Sequence, residues 1–287
     1  MRPPPKVKEM KDVRQEWYDA EKKVSVTIVD VTTAAQQLAQ GHLSGPTAAR
    51  ALSEALAAVA LLGAETSEKD ETVILQMKCT GALGGYCVEC TREGTLRGYT
   101  EKKTLDDFDG VVSAAAPLAK ASAKKLYGDT QLQVTRSVPG RILSQGLAKT
   151  LDSYLAGSLQ RKATIQVEAA VSDEVEVLGA KGILIEALPD STCGEIVGVE
   201  LKSGGARLSS GARLSSLSRA SRTILDDLGL ANAELKKTTP LAFACRCSPD
   251  RAVAMLAALS EDERKDLPET IDITCHMCGR TFTVRTR

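Results

Sequence analysis

Four of the chain's eight cysteines cluster near its C-terminal end, as Cys245-Arg-Cys247 and, 27 residues later, Cys275-His-Met-Cys278. On an extended segment, residues two apart project to the same side, so the first pair aims both sulfurs one way. The second pair is followed by Gly279, which suits a tight knuckle that points two thiolates at one place. Two converging pairs supply four thiolates, the donor set of a tetrahedral structural zinc site. The expected cofactor is one Zn2+ per chain in the reduced state, held by Cys245, Cys247, Cys275 and Cys278. His276 is an alternative ligand, less needed where four thiolates are at hand. The same sulfurs have a second chemistry. Zinc holds cysteine as thiolate, the form that oxidants attack. Oxidation of both pairs would remove the metal and the free energy that folds a small module around it.

Several local signals around the cysteines position them. Ser248-Pro249 suits a helix cap and first helical position, and Val253, Met255, Leu256 and Leu259 then offer an apolar face. Ser260 with Glu263 makes a capping box for a second short helix. Ile271 and Ile273 before the second pair, with Phe282 and Val284 after it, read as the arms of a hairpin. A module of this size, residues 240–287, is too small to rely on its own core, and a metal is a plausible staple.

The first 190 residues read as one mixed unit. Thr32 or Thr33 caps a short helix ending at Gly41, and Pro46 opens an Ala/Leu-rich helix ending at Leu62-Gly63. Alternation at Val73, Leu75 and Met77, then over Tyr86–Arg92, marks two strands around a Gly81–Gly85 turn. Leu132 and Val134 alternate again. Ile165, Val167, Ala169 and Val171 form a further strand, followed by a strand pair at Val175–Leu178 and Gly182–Leu188. Short connections imply antiparallel pairing, because parallel strands need long crossovers. The expected fold class is α+β: an antiparallel sheet core domain with packed helices, then a linker, then a small C-terminal four-cysteine zinc-binding redox-switch domain. The boundaries expected are 1–190 for the core, with 1–25 an extension, 191–239 for the linker and 240–287 for the switch. Within the linker, Gly-Ala-Arg-Leu-Ser-Ser occurs twice in tandem, at 205–210 and 211–216. It reads either as a marginal helix with Leu208, Leu214 and Leu217 on one stripe, or as a mobile tether, since Ser and Gly weaken helices.

Composition narrows the function. The 287 residues carry 37 basic and 37 acidic side chains, so the net charge is zero. That argues against a general nucleic-acid or anionic-membrane binder. No apolar run approaches the ~18 residues a membrane span needs. The polar N-terminus lacks the apolar core of a secretory signal. A reducing compartment is therefore expected, the cytoplasm, or a mitochondrion or plastid if the Pro-rich start is a targeting segment. Cys87-Val-Glu-Cys90 matches a C-x-x-C pattern, but on a strand residues three apart face opposite sides, so these thiols should diverge and pack. Cys79 and Cys193 have no partner at a diagnostic spacing. The two histidines, His42 and His276, come with no nucleophile elbow, Walker loop or dinucleotide fingerprint, and no enzymatic activity is expected.

Three functions compete for the cysteine module. A nucleic-acid-binding ribbon is disfavoured, because four thiolates and Zn2+ add about two negative charges to a neutral module. A thiol–disulfide oxidoreductase would place its C-x-x-C at the start of a helix in a βαβ unit, which this one does not. The third is an oxidant sensor whose readout is local unfolding. A constitutive zinc-dependent interaction module, without a switch, is the runner-up.

The C-x-C, 27-residue gap and C-x-x-C, with Ser248-Pro249-Asp250-Arg251 after the first pair, resemble the C-terminal signature of the 33 kDa chaperonin family, the oxidation-activated heat-shock holdases. Thr32-Thr33, His42, Pro46 and the helix up to Leu61-Leu62 are similar to its first helices. Gly81-Ala-Leu-Gly-Gly followed by Arg97-Gly98-Tyr99 resembles its glycine-rich hairpin and R-G-Y segment. Leu151 to Gln160 and Gly182 to Pro189 resemble two later core segments. The resemblance implies an ATP-independent holdase, inactive when reduced and zinc-bound. It implies Cys245–Cys247 and Cys275–Cys278 disulfides on oxidation, loss of zinc, opening of the module and linker, and capture of unfolding client proteins on freed apolar surface. It also implies a homodimer in the oxidised state.

Overall fold

The computed structural model describes residues 12–66, 71–111, 120–135, 139–144, 162–191, 220–265 and 267–286. The tandem repeat, Cys193, the start of the chain and the 151–160 segment lie outside them. A five-stranded sheet has the order β10-β1-β2-β9-β8, where β1 is Val13–Asp19, β2 Val24–Asp30, β8 Lys162–Val171, β9 Val177–Ala187 and β10 Glu234–Pro240. A six-stranded sheet has the order β11-β5-β4-β3-β6-β7. Its strands are β3 Thr72–Cys79, β4 Gly85–Thr91, β5 Thr95–Thr100, β6 Thr130–Thr135, β7 Pro139–Ser144 and β11 Ala242–Phe243. All pairings in these sheets are antiparallel except β11 on β5, a two-residue parallel contact. The α+β class holds.

Helix α2 (Pro46–Leu62) packs against β8 and β9 of one sheet and against β4 and β5 of the other. A helix gripped from two sides must be apolar nearly all round, and α2 buries alanines 48, 49, 51, 55, 57, 58 and 60 along with Leu52, Leu56, Val59, Leu61 and Leu62. Small side chains let both sheets approach it closely. The scarcity of aromatic residues follows: in this cluster Tyr86 and Phe108 are the buried aromatics. Helix α1 (Thr32–Gly41) lies beside it. Its first turn is not capped by its own threonines. The Asp12 carboxylate, ahead of β1, accepts from the Thr33 and Ala34 amides at 2.9 and 2.6 Å. Helix α3 (Lys120–Tyr127) completes this unit.

Three expectations are corrected. Residues 13–19, assigned to an extension, form β1, hydrogen-bonded to strands on both sides. Residues 234–240, assigned to the linker, form β10, β1's outer neighbour, and residues 221–227 form helix α4 (Ser221–Asp227). The strand pair read at 175–188 is the single strand β9, paired along its length with β8 and over Lys181–Ala187 with β2. The first sheet therefore buries both faces. One packs on α2. On the other, Val24, Val26 and Ile28 of β2 and Ile183, Ile185 and Ala187 of β9 lie under Ile224, Leu225, Leu230 and Ala233, with Trp17 and Leu228 at the margin.

Among the described residues, no helix is long and apolar enough to cross a membrane.

Candidate metal centre

Both cysteine pairs are aimed by backbone structure. The first follows β11, which is pinned to the edge of β5 by Ala242 N–H to the Gly94 carbonyl (3.0 Å) and Ala244 N–H to that of Leu96 (3.1 Å). The chain then runs outside any helix or strand through Cys245 and Cys247 to Ser248, which is extended. Its hydroxyl caps helix α5 (Pro249–Ala257) by accepting from the Arg251 amide. Ala252 and Leu256 of α5 are buried, whereas Val253 and Met255, expected on the apolar face, are half or more exposed. Helix α6 (Glu261–Lys265) begins at the Ser260–Glu263 capping box.

The second pair sits at the turn of a hairpin, β12 (Thr270–Thr274) and β13 (Thr281–Arg285), in which Ile271 faces Val284 and Ile273 faces Phe282. Cys275 N–H donates to the Arg280 carbonyl, and the amides of Cys278 and Gly279 fold back on the Cys275 carbonyl. Gly279 has φ of 72°. A side chain there would be strained, and its Cβ would also lie 2.0 Å from the Gly41 carbonyl oxygen. The knuckle is thus pressed against the C-terminal end of α1.

The four sulfurs all lie within 4.8 Å of one another. Cys245 and Cys275 are 3.7 Å apart, and Cys247 and Cys278 3.5 Å. Four thiolates about 2.3 Å from a common centre stand at corners about 3.8 Å apart, so the residues fit a tetrahedral metal and the group can hold one. An all-sulfur donor set suits a soft or borderline cation. His276 is not in the group; its ring meets Tyr99 edge-on, with centroids 4.3 Å apart.

Electrostatics distinguish the four sulfurs. Burial disfavours the Cys245 thiolate, but the Cys247 amide and the thiols of Cys247, Cys278 and Cys275 converge on it and draw its pKa down to about 7. Burial pushes Cys278 well up, and its thiol serves the others as donor. Four thiolates around a divalent cation would leave two negative charges, with Arg97 of β5 nearby. Burial loosens Arg97's hold on its proton, but Glu89, hydrogen-bonded to the guanidinium, and then the nearby Cys245 more than offset this. Arg246, between the first two cysteines, lies 3.7 Å from Glu89. Nothing in the sequence alone identified Glu89, and Arg97 stood out only within a family resemblance.

The remaining described cysteines are elsewhere. Cys87 and Cys90 take opposite faces of β4, as expected for strand residues three apart. Cys90 is buried beside the guanidinium of Arg14, a fully buried cation that donates to the Ala60 carbonyl at 3.1 Å and pairs with Glu16 at 3.4 Å. Burial raises the Cys90 thiol to about 11, against a smaller opposing pull from Arg14. Burial, then the charge of Glu89, raises Cys87 to the same level. At pH 8 both are protonated and poorly nucleophilic. After chelation of any bound metal, iodoacetamide is expected to label Cys245 first. Cys87 and Cys90 should stay unlabelled, their rates rising about tenfold per pH unit toward 11. Mass spectrometry of the labelled peptides checks this, and labelling of Cys90 at pH 8 as fast as Cys245 would contradict it.

A family model described as Hsp33 protein matches residues 12–285. A 33 kDa chaperonin from a Geobacillus species is 27% identical over 254 residues, covering 84% of this chain and 83% of its own length. One from a Cyanothece species is 27% identical over 273 residues, covering 92% and 90%. The crystal structure of the 33 kDa chaperonin (heat shock protein 33 homolog) of Thermotoga maritima shares the fold, with a TM-score of 0.78 at 19% identity over 96% of this chain and 95% of that one.

Proposed function

The chain belongs to the Hsp33 family of heat-shock chaperones, and from that premise we propose that it is a redox-switched, ATP-independent holdase. The observation that carries this reading is the convergence of four thiols at the spacing of a metal tetrahedron. We assign them to one zinc ion in the reduced state, held by Cys245, Cys247, Cys275 and Cys278. Bound there, zinc supplies the positive charge that keeps all four sulfurs ionised.

Peroxide is the co-reactant. Each thiolate pair gives two electrons to one peroxide. One S–S bond forms, the O–O bond breaks, and two protons from solvent complete two waters. Following the resemblance, the pairs are Cys245–Cys247 and Cys275–Cys278. The ring closed by Cys245–Cys247 is small and strained, so that bridge is readily reduced and the switch reversible. With both pairs oxidised, no thiolate remains to hold a cation, and residues 240–287 lose the staple that folds them.

Loosening would pass along the chain to its nearest neighbours. β10 ends at Pro240, and Leu241 is tied back to the Asp12 carbonyl by its amide at 2.9 Å. Once β10 and α4 lift, Val26, Ile28, Ile183 and Ile185 become a contiguous apolar face, suited to apolar segments of unfolding clients. Homodimerisation in the oxidised state is part of the proposal. So is a reducing compartment such as the cytoplasm, where the thiolates persist until stress.

The test is to follow metal release with a chromogenic chelator, and light scattering of a thermally unfolding client, before and after peroxide at raised temperature. Oxidation should release one zinc per chain and suppress scattering. Metal release without suppression at any dose would refute the holdase, and turnover of a dithiol substrate would favour an oxidoreductase instead.

A further inference from the structure

Arg97-Gly98-Tyr99, in the middle of β5, has no part in the switch chemistry above, yet each of its residues holds a different piece of the cysteine module. Arg97 grips Glu89 on the neighbouring strand, Nε to Oε2 at 2.7 Å and Nη2 to Oε2 at 2.6 Å. The same carboxylate oxygen lies 3.7 Å from Nη2 of Arg246, the residue between Cys245 and Cys247. Gly98 extends the edge of β5 beyond β11. Its amide donates to the Met277 carbonyl at 3.1 Å, and its carbonyl accepts from His42 Nε2 at 2.8 Å. Tyr99 meets the His276 ring. The register of β4 and β5 sets Glu89 opposite Arg97, so the charged grip is built into the sheet.

We propose that Arg97-Gly98-Tyr99 is the seat of the redox module, and that Arg97, held by Glu89, is a positioning residue that restrains Cys245 from oxidation while the module is seated. The inference rests on the holdase reading for its purpose but not for its test. Glu89 ties Arg246, which separates Cys245 from Cys247, to Arg97 on β5, and a sulfur held in place by such charged contacts is slower to move toward its partner and toward an oxidant. The seat also presses the knuckle against the sheet edge and α1, limiting the motion that brings paired sulfurs together. Loss of the seat should therefore speed oxidation without altering the surface that captures clients.

The experiment uses the full-length, zinc-loaded protein at room temperature under limiting peroxide, with Cys245 oxidation read by differential alkylation and mass spectrometry. Arg97→Met should oxidise Cys245 about tenfold faster, the scale of one charge-assisted hydrogen bond. Glu89→Gln should shift the rate the same way by less, and Arg97→Lys should restore much of the restraint, which a merely structural role would not. Tyr99→Leu keeps an apolar strand residue and should speed amide exchange at Met277–Gly279, a readout that stands even if Arg97→Met fails to fold. Wild-type oxidation rates in Arg97→Met and Glu89→Gln, or wild-type exchange in Tyr99→Leu, would overturn the seat. If fully oxidised wild-type protein holds no client, the holdase reading falls while these rates still decide the seat.

Discussion

Cys275→Ser is expected to abolish stoichiometric zinc binding and to unfold residues 241–286 while the strands packed on α2 remain. A serine hydroxyl does not ionise near neutral pH, so the variant offers three thiolates and a neutral, hard oxygen. The apparent free energy of a structural zinc site is about 10–16 kcal/mol at pH 7, as large as the whole stability of a typical domain, about 5–15 kcal/mol. The module has little to set against that loss. Its own apolar cluster has Ala252, Leu256 and Val284 as buried members, with Ile271, Ile273 and Phe282 only partly covered. Nor does docking rescue it, since the knuckle that meets Gly41 and Gly98 is the turn that carries both Cys275 and Cys278, and loss of their shared metal frees it. Metal stoichiometry and amide exchange check the outcome together. One zinc per chain in the purified variant would refute the ligand assignment. Zinc loss with full protection of Thr270–Arg285 would show that the module folds without its staple.

Much of this site could be read from the sequence because its signals are local. Ser248-Pro249 caps α5, Ser260 with Glu263 starts α6, and the Ile271/Ile273 and Phe282/Val284 pattern gives the hairpin whose turn carries Cys275 and Cys278. Helix α2 was equally legible, bounded by Pro46 and Gly63. What escaped was non-local. β10 reads Glu-Leu-Lys-Lys-Thr-Thr-Pro, and all its side chains but that of Thr239 are exposed. An edge strand held by its backbone ladder needs no apolar alternation, so it shows no strand signal, and its partner β1 lies more than two hundred residues away. The cap of α1 comes from Asp12 rather than from the adjacent threonines. Gly179-Ala180-Lys181-Gly182 resembles a turn, so the sequence predicts two strands where β9 is one. In the fold this stretch stays in the strand, paired with β8, and Gly182 leaves room for Leu61 of α2. The roles of Glu89 and Arg97 depend on the register between β4 and β5 and on where the module docks, which spacing alone does not encode.

Leu225→Asp is expected to make the reduced, zinc-loaded protein a constitutive holdase. Helix α4 has seven residues, too few to hold itself in water, and Leu225 is fully buried. The helix is kept in place by Ile224, Leu225 and Leu230 packing on Val24, Val26, Ile28, Ile183 and Ile185. Polar ties add to this, among them Lys22 Nζ to the Gly229 carbonyl and Ser221 Oγ to Gln15. These ties are exposed or only partly buried and contribute little against solvent. An unpaired carboxylate at position 225 forfeits the burial of a leucine and adds a desolvated charge, together at least about 4 kcal/mol. That exceeds what a short helix and a polar edge strand can absorb locally, so the α4–β10 segment should open as a unit while α2, between the sheets, keeps the core. Leu225→Ala, at about 2–5 kcal/mol, should give a graded version of the same effect. The expected result is suppression of client aggregation without peroxide, increased binding of an apolar dye, and zinc still at one per chain. Dye binding without suppression would show that the face under α4 is not where clients are held. Suppression accompanied by zinc loss would place the switch and its cover in one cooperative unit, so that undoing the cover would itself release the staple.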